Sequence, residues 1–161
     1  MDLLQSTRAL FVAGRVHDAL ESAQVACERT PRSADAWALL ARVARHAGLP
    51  ATSEDAFRRA AALSTRHLVP IRVPGAEFEL LIARARQTLS PDAHRRLRST
   101  EIEFQAIPDP ADILSGIDPD ALSRRVREPR DRLVIFQENL ENRCRDREEL
   151  AQLVARVMSR A

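Results

Sequence analysis

The side chains that could bind a metal ion are two cysteines and four histidines, and their spacing matches no ligand pattern. Cys27 and Cys144 stand far apart in the chain. The histidines are His17, His46, His67 and His94. None of them lies three or four residues from another histidine or from a cysteine, the spacing that brings two ligands together on a helix. We therefore expect two reduced thiols, ordinary surface or partly buried histidines, and no metal or other cofactor.

Four aspartates in a proline-rich stretch form a second candidate site, for Ca²⁺. They are Asp109, Asp112, Asp118 and Asp120. Their spacing differs from that of an EF-hand loop, and the nearby prolines resist wrapping oxygen ligands around one ion. The pattern favours an acidic, solvated loop over residues 108–120.

The densest run of basic residues could contact phosphate groups. It consists of Arg124, Arg125, Arg127, Arg130 and Arg132. Acidic residues interrupt the run, and no aromatic side chain is interleaved to stack on bases. The pattern favours a salt-bridged surface segment, and a net charge of only +2 gives no support to a nucleic-acid partner.

The composition narrows the class of protein. All 25 basic residues are arginine, which is typical of a GC-rich bacterial genome and excludes lysine chemistry such as Schiff-base formation. Hydrophobic residues make up 45% and charged residues 30% of the chain, a mixture typical of soluble globular proteins. No apolar stretch approaches about 18 residues, and the N-terminus lacks a basic region followed by an apolar run. We expect no membrane contact, no signal peptide and a cytoplasmic location.

The N-terminal part of the chain, over residues 1–64, contains an internal repeat. Gly14 recurs as Gly48 and Ala26 recurs as Ala60, at the same interval along the chain. Small residues allow paired helices to approach closely, and each glycine is expected to end a helix in a left-handed conformation. The sequence therefore predicts two similar helical hairpins.

This stretch resembles the tetratricopeptide (TPR) repeat in its internal pattern as well as in its interval, since TPR repeats have a period of about 34 residues. The second copy has Trp37 in its first helix, Gly48 at the turn, and Phe57 followed by Ala60 in its second helix, and Pro31 closes the first copy. The resemblance implies two helix-turn-helix repeats over residues 1–64 and a protein-binding function. A chance pair of amphipathic hairpins is the alternative.

In TPR repeats, first-helix residues one turn apart face a concave groove. The resemblance places five residues of this chain there: Arg8, Phe11, Ala38, Arg42 and Arg45. Three guanidiniums around a groove could bind an acidic peptide or a C-terminal carboxylate by bidentate pairing. The alternative is a solvated helix face, since exposed arginine is common. Two repeats are fewer than the usual minimum of about three, so we expect the rest of the chain to cover the apolar face of the helix over residues 53–63.

The remaining residues predict a mixture of helices and strands behind an extended, proline-bounded linker over 65–77. One helix carries its apolar face at Phe78, Leu81, Ile82, Ala85 and Leu89. Ser90 and Pro91 begin a short helix, and residues 101–107 and 133–136 predict two strands. Asp146 and Glu149 predict a capping box that opens a final helix. The apolar stripe of that helix either packs wholly against the strands or leaves a patch for a partner, so a homo-oligomer stays open.

These elements resemble the small zincin-like metallopeptidases of bacteria. The matching words are FELLIARA (78–85), LSPD (89–92), IEF (102–104), LVIFQENL (133–140) and CRDREEL (144–150). The resemblance covers residues 78–161 and implies an α+β domain whose last helix carries His-Glu-x-x-His, two zinc ligands and a general base. Arg160 and Ala161 stand where the first histidine and the glutamate align, so no catalytic residue is carried over.

The predicted fold is mainly α with a small α+β part. It comprises two TPR-like hairpins over 1–64, the linker over 65–77 and a degenerate zincin-like domain over 78–161. The predicted function is that of a non-catalytic interaction or scaffold protein whose partner is another protein, contacted through an acidic peptide segment. The alternative is a metallopeptidase-related protein that is truncated or completed by another chain.

Overall fold

The computed structural model describes all residues from Met1 to Ala161. Nine helices and three strands make the chain mainly α with a small α+β part, as predicted. The helices are α1 (Leu3–Val12), α2 (Val16–Arg29), α3 (Ala34–His46), α4 (Pro50–Leu63), α5 (Gly75–Gln87), α6 (Pro91–Arg96), α7 (Pro110–Leu114), α8 (Gln137–Glu141) and α9 (Arg147–Arg160). The strands are β1 (Glu101–Gln105), β2 (Ser123–Val126) and β3 (Arg132–Phe136). Two compact units result: unit 1 (Met1–Val69 and Asp109–Asp120) and unit 2 (Pro70–Pro108 and Ala121–Ala161).

Helices α1 to α4 form two hairpins that repeat with the predicted period. Helices α2 and α4 have equal lengths, and their first residues, Val16 and Pro50, are separated by the same interval as the two glycines. Gly14 and Gly48 have φ angles of 80° and 75°, which confirms the left-handed conformation expected of them. After Gly14, the N–H of Arg15 donates back to Leu10 O at 3.0 Å, and the equivalent bond after Gly48 measures 2.9 Å. Each glycine therefore ends its helix in the same Schellman arrangement.

Many alanines are buried between the helices of unit 1. The residues Ala19, Ala23, Ala26, Ala36, Ala41, Ala44, Ala56 and Ala60 are 0–2% exposed. Because methyl side chains let the backbones approach, Ser53 Oγ of α4 donates to Ala41 O of α3 at 2.6 Å. The outer face of α4 is polar, since Asp55 and Arg59 pair there at 2.9 Å and Arg58 is exposed. Two repeats alone were expected to need the rest of the chain to cover an apolar face of this helix. Because the outer face is polar, it needs little such cover.

Residues 109–120, which we call the acidic segment, dock on unit 1 by their contacts, although they were predicted as a solvated loop in the second domain. Asp109 caps α7 by accepting from Asp112 N–H at 2.9 Å, and the Asp112 side chain accepts from Asp109 N–H in return. Asp112, Ile113 and Pro119 are buried. The prediction of a solvated loop is wrong. It rested on the charges of the segment, and these do not show which apolar residue is buried and anchors it.

Unit 2 contains a three-stranded sheet in the order β1-β3-β2. Strand β1 runs parallel to β3, with Phe104 opposite Ile135, and β2 runs antiparallel to β3, with Arg124 opposite Val134. The central strand β3 is buried, as its continuous apolar sequence predicts. Strand β2 lies within the arginine run, which predicted only a surface segment.

The helices of unit 2 bury the predicted apolar faces. Helix α5 buries Phe78, Leu81, Ile82 and Ala85. Helix α9 buries Leu150, Leu153, Val154 and Met158. These residues belong to one core with β3, so the apolar stripe of α9 is covered within the unit. The stripe therefore gives no support to a docking patch for a second copy.

Side-chain caps begin two helices of unit 2 as predicted. Ser90 accepts from Ala93 N–H at 3.2 Å, and Asp146 accepts from Glu149 N–H at 2.9 Å. The second bond of the predicted capping box is displaced by one residue, because the Glu149 carboxylate accepts from Arg145 N–H at 2.7 Å. Across the whole chain, no helix combines the length and the apolar character needed to cross a bilayer.

Candidate functional site

The three arginines predicted to surround a groove have three different environments. Arg8 is exposed on α1 and forms no ion pair. Arg45 forms an ion pair with Glu54 of α4, and 16% of its side chain is exposed. Arg42 reaches the acidic segment and pairs with Asp120, at side-chain exposures of 25% and 29%. Arg42 therefore contacts an acidic segment, and that segment belongs to this chain.

The two apolar residues of the predicted groove are buried. Phe11 is 1% exposed and Ala38 is 9% exposed. The Phe11 ring meets the His46 ring edge to face, with centroids 5.0 Å apart and an interplanar angle of 79°. This geometry sets the positive edge of one ring against the negative face of the other. Phe11 thus fixes the orientation of a polar ring at the end of α3.

His46 is a contact residue that the predicted groove omits. Its Nε2 lies 3.1 Å from Pro119 O of the acidic segment. Burial lowers the pKa of His46, and the Asp120 carboxylate and the hydrogen bond to Pro119 oppose this only in part. His46 is therefore neutral at pH 7, and Nε2 carries the proton because a carbonyl oxygen can only accept. Its position one helical turn after Arg42 was the signal available in the sequence.

The acidic segment also approaches the turn between α1 and α2. A Cβ atom placed on Gly14 would lie 3.3 Å from Leu114 Cδ2 and 3.4 Å from Ile113 Cγ2. The missing side chain therefore makes room for α7, in addition to permitting the left-handed turn. Ile113 is 4% exposed, whereas Leu114 is 75% exposed, so Ile113 is the apolar anchor.

Three residues of unit 1 together receive the acidic segment, and we call them the docking face. They are Gly14, Arg42 and His46. The face offers space beside Gly14 for an apolar side chain, one cation and one neutral N–H donor. This set of groups is suited to a short segment that carries an apolar residue, a carbonyl and a carboxylate.

The other histidines occupy ordinary positions, as predicted. His17 and His94 are exposed, and His67 Nε2 lies 2.8 Å from Asp35 Oδ1. No group of three His, Cys, Asp or Glu side chains is arranged to hold a metal ion. At the end of α9 the residues do not fit the zinc that the metallopeptidase resemblance implies, because the Arg160 guanidinium cannot coordinate it and alanine offers no carboxylate.

The two cysteines are buried and free of disulfide bonds, as predicted. Burial raises the pKa of the Cys27 and Cys144 thiols to about 11. Both thiols are therefore protonated at neutral pH, the form that is unreactive toward electrophiles.

The arginine run is salt-bridged, as predicted. Arg125 donates two hydrogen bonds to Asp131, at 2.9 and 2.6 Å, and the Thr100 hydroxyl donates to the same carboxylate at 2.7 Å. The hydrogen bonds from Arg125 and Thr100 hold the pKa of Asp131 well below its usual range. Arg132 pairs with Glu103 of the neighbouring strand at 3.3 Å. These pairs reduce the charge available for phosphate groups.

A buried carboxylate in unit 2 is a further feature absent from the sequence analysis. Glu141 is 2% exposed. Its Oε2 accepts from Val73 N–H at 2.8 Å and from Gln137 Nε2 at 3.3 Å, and Arg72 Nη1 lies 3.5 Å from Oε1. Burial raises the pKa of Glu141 against the effect of these donors. The carboxylate ties the extended chain before α5 to α8, which is a structural role.

No protein-family model matches the chain, and no curated protein matches it. Both family resemblances therefore stay predictions.

Proposed function

We propose that this protein is a non-catalytic interaction or scaffold protein, built from two TPR-like hairpins and an inactive zincin-like unit. Its partner is another protein, which contacts the docking face through an acidic segment. The observation that carries the proposal is the pair of contacts made by α3, the ion pair from Arg42 to Asp120 and the hydrogen bond from His46 to Pro119. These side chains already hold an acidic, proline-containing stretch of polypeptide.

The type of partner follows from the charge and shape of the docking face. A guanidinium selects carboxylates, and a neutral imidazole N–H selects a backbone carbonyl. Neither group favours a basic peptide. The buried, protonated thiols of the chain agree with a cytoplasmic location, which is part of the proposal.

Charge reversal at Arg42 tests the proposal. Three versions of the protein are used as bait for proteins of the native host: wild type, Arg42→Glu and Arg58→Glu. The last is the matched control, because it reverses an exposed charge on α4. A partner should be recovered with wild type and the control but fall at least about tenfold with Arg42→Glu, a loss of about 1.4 kcal/mol. Equal recovery with all three baits would show that the docking face is not the binding site.

Metal analysis separates this function from that of a metallopeptidase. We expect no stoichiometric zinc in the purified protein, because the residues at the end of α9 do not suit the ion. About one zinc per chain, retained through dialysis, would favour an enzyme completed by another chain instead.

A further inference from the structure

The acidic segment contacts unit 1 in the manner of a short peptide ligand. Ile113 supplies a buried apolar anchor, and Pro119 and Asp120 supply polar contacts. Between these two places residues 114–116 are exposed, and Gly116 has a φ of 104°. Linear peptide motifs are recognised in the same way, through a buried apolar residue and separate polar contacts joined by an exposed stretch of chain.

The segment is tethered on both sides. The chain belongs to unit 2 up to Pro108 and again from Ala121. A short tether gives a segment a local concentration in the millimolar range at its binding face, even where its intrinsic affinity is low. Any free ligand of the docking face has to compete against that local concentration.

We propose, on the basis of the function proposed above, that the docking face recognises a partner segment with the chemistry of residues 113–120. That segment has a branched apolar residue followed five residues later by Asp-Pro-Asp. The acidic segment is the resident occupant of the face, and the partner binds by displacing it.

Three features of this motif have a matching group on the face, and Asp118 is exposed and accepts from Asp120 N–H within the segment at 2.8 Å. The turn at Gly14 leaves space for the branched apolar side chain, which a Cβ atom there would reduce. His46 donates to the carbonyl of the proline, and Arg42 pairs with the final carboxylate. Because proline restricts the chain, the carbonyl and the carboxylate are presented at low entropic cost.

A labelled peptide tests the proposal on the full-length chain. The probe is a fluorescent peptide with the sequence of residues 109–120, titrated into the protein and followed by anisotropy. The released variant carries Ile113→Asp and Asp120→Ala, which remove the apolar anchor and the ion pair. The matched control carries Leu80→Asp and Glu148→Ala at two exposed positions outside the segment and leaves the net charge equal to that of the released variant.

The released variant should bind the peptide at least about tenfold more tightly than wild type, because the tethered competitor is gone. The control should bind as wild type does. Adding Arg42→Glu to the released variant should weaken binding at least about tenfold. A released variant that keeps the wild-type circular dichroism and tryptophan emission but binds no more tightly overturns the proposal, and so does binding that survives Arg42→Glu.

Hydrogen exchange on the wild type decides the question if the released variant does not fold. Excess peptide should speed the exchange of the α7 amides, because the resident segment leaves the face. Unchanged protection of α7 at saturating peptide, or no binding up to millimolar peptide, overturns the proposal.

Further outcomes distinguish this proposal from the proposed function. A host protein that requires Arg42 but binds wild type and released variant equally well overturns the displacement and leaves the interaction role standing. Peptide binding to the released variant without any Arg42-dependent host partner would overturn the interaction role and leave the competition between peptide and resident segment standing. Concentration-dependent dimers of the wild type that disappear in the released variant would assign the face to a second copy of the chain.

Discussion

Glu141→Ala should destabilise unit 2 by about 2 kcal/mol. The substitution takes the acceptor away from the N–H of Val73, a residue that is only 8% exposed, and an unsatisfied buried donor costs about 1–3 kcal/mol. The Arg72 side chain is 27% exposed and can turn to water, so the loss of its ion pair adds at most about 1 kcal/mol. Relief from burying a carboxylate offsets part of the cost.

Hydrogen exchange of the β3 amides is the appropriate assay. The single tryptophan, Trp37, lies in unit 1 and does not report on unit 2. A loss of about 2 kcal/mol corresponds to roughly 30-fold faster exchange of amides that open with the whole unit. Glu148→Ala makes the same truncation at an exposed site of α9 and should stay within about 0.5 kcal/mol of wild type. Equal exchange rates in the two variants would refute the structural role of Glu141.

Glu141→Gln separates the charge of this residue from its hydrogen bonds. The amide keeps an acceptor for Val73 N–H, so the cost at pH 7 should be at most about 1 kcal/mol. Because burial raises the pKa of Glu141, the folded wild type gains stability as the pH falls from above that pKa toward the ordinary value of 4.5. The glutamine variant lacks this gain. The difference in unfolding free energy should therefore move in favour of wild type on acidification, and a constant difference would contradict the raised pKa.

The remaining predictions concern unit 1 and the thiols. Gly14→Ala and Gly48→Ala should each cost roughly 1–2 kcal/mol in thermal unfolding, because both residues have positive φ; no loss at Gly48, where a Cβ meets nothing within 4 Å, would contradict the strain. Phe11→Ala should cost about 3–5 kcal/mol in urea unfolding followed by tryptophan fluorescence, since the ring is 1% exposed, and a loss below about 1 kcal/mol would contradict its place in the core. Cys27 and Cys144 should react with a thiol reagent at pH 7 only as fast as their surroundings open, because their pKa is about 11; rapid labelling of the folded protein would contradict their burial.

Features that depend on neighbours in sequence could be predicted. The turns at Gly14 and Gly48, the cap at Ser90 and the buried strand over residues 133–136 each depend on a few adjacent residues. Their conformations follow from glycine's access to positive φ, from a side-chain acceptor at a helix start and from a continuous apolar run.

Features that depend on distant contacts could not be predicted from the same rules. The arginines of α3 and the aspartates of the acidic segment were each recognised as candidate sites, but no local pattern pairs Arg42 with a residue 78 positions away. For the same reason, the contacts that His46 and Ile113 make with residues far along the chain could not be predicted. Glu141 lies in an ordinary polar sequence, and only the fold brings Val73 N–H to its carboxylate.

The division of unit 1 along the chain has a consequence for its synthesis. Residues 1–69 contain all four hairpin helices and leave the ribosome before the acidic segment, which ends at residue 120. At about 5–20 residues per second, the docking face is uncovered for roughly 3–10 s on every nascent chain. During that interval Arg42 and His46 lack their contacts with Asp120 and Pro119, so the partner proposed above would meet no tethered competitor. Assembly during translation would then need no displacement step.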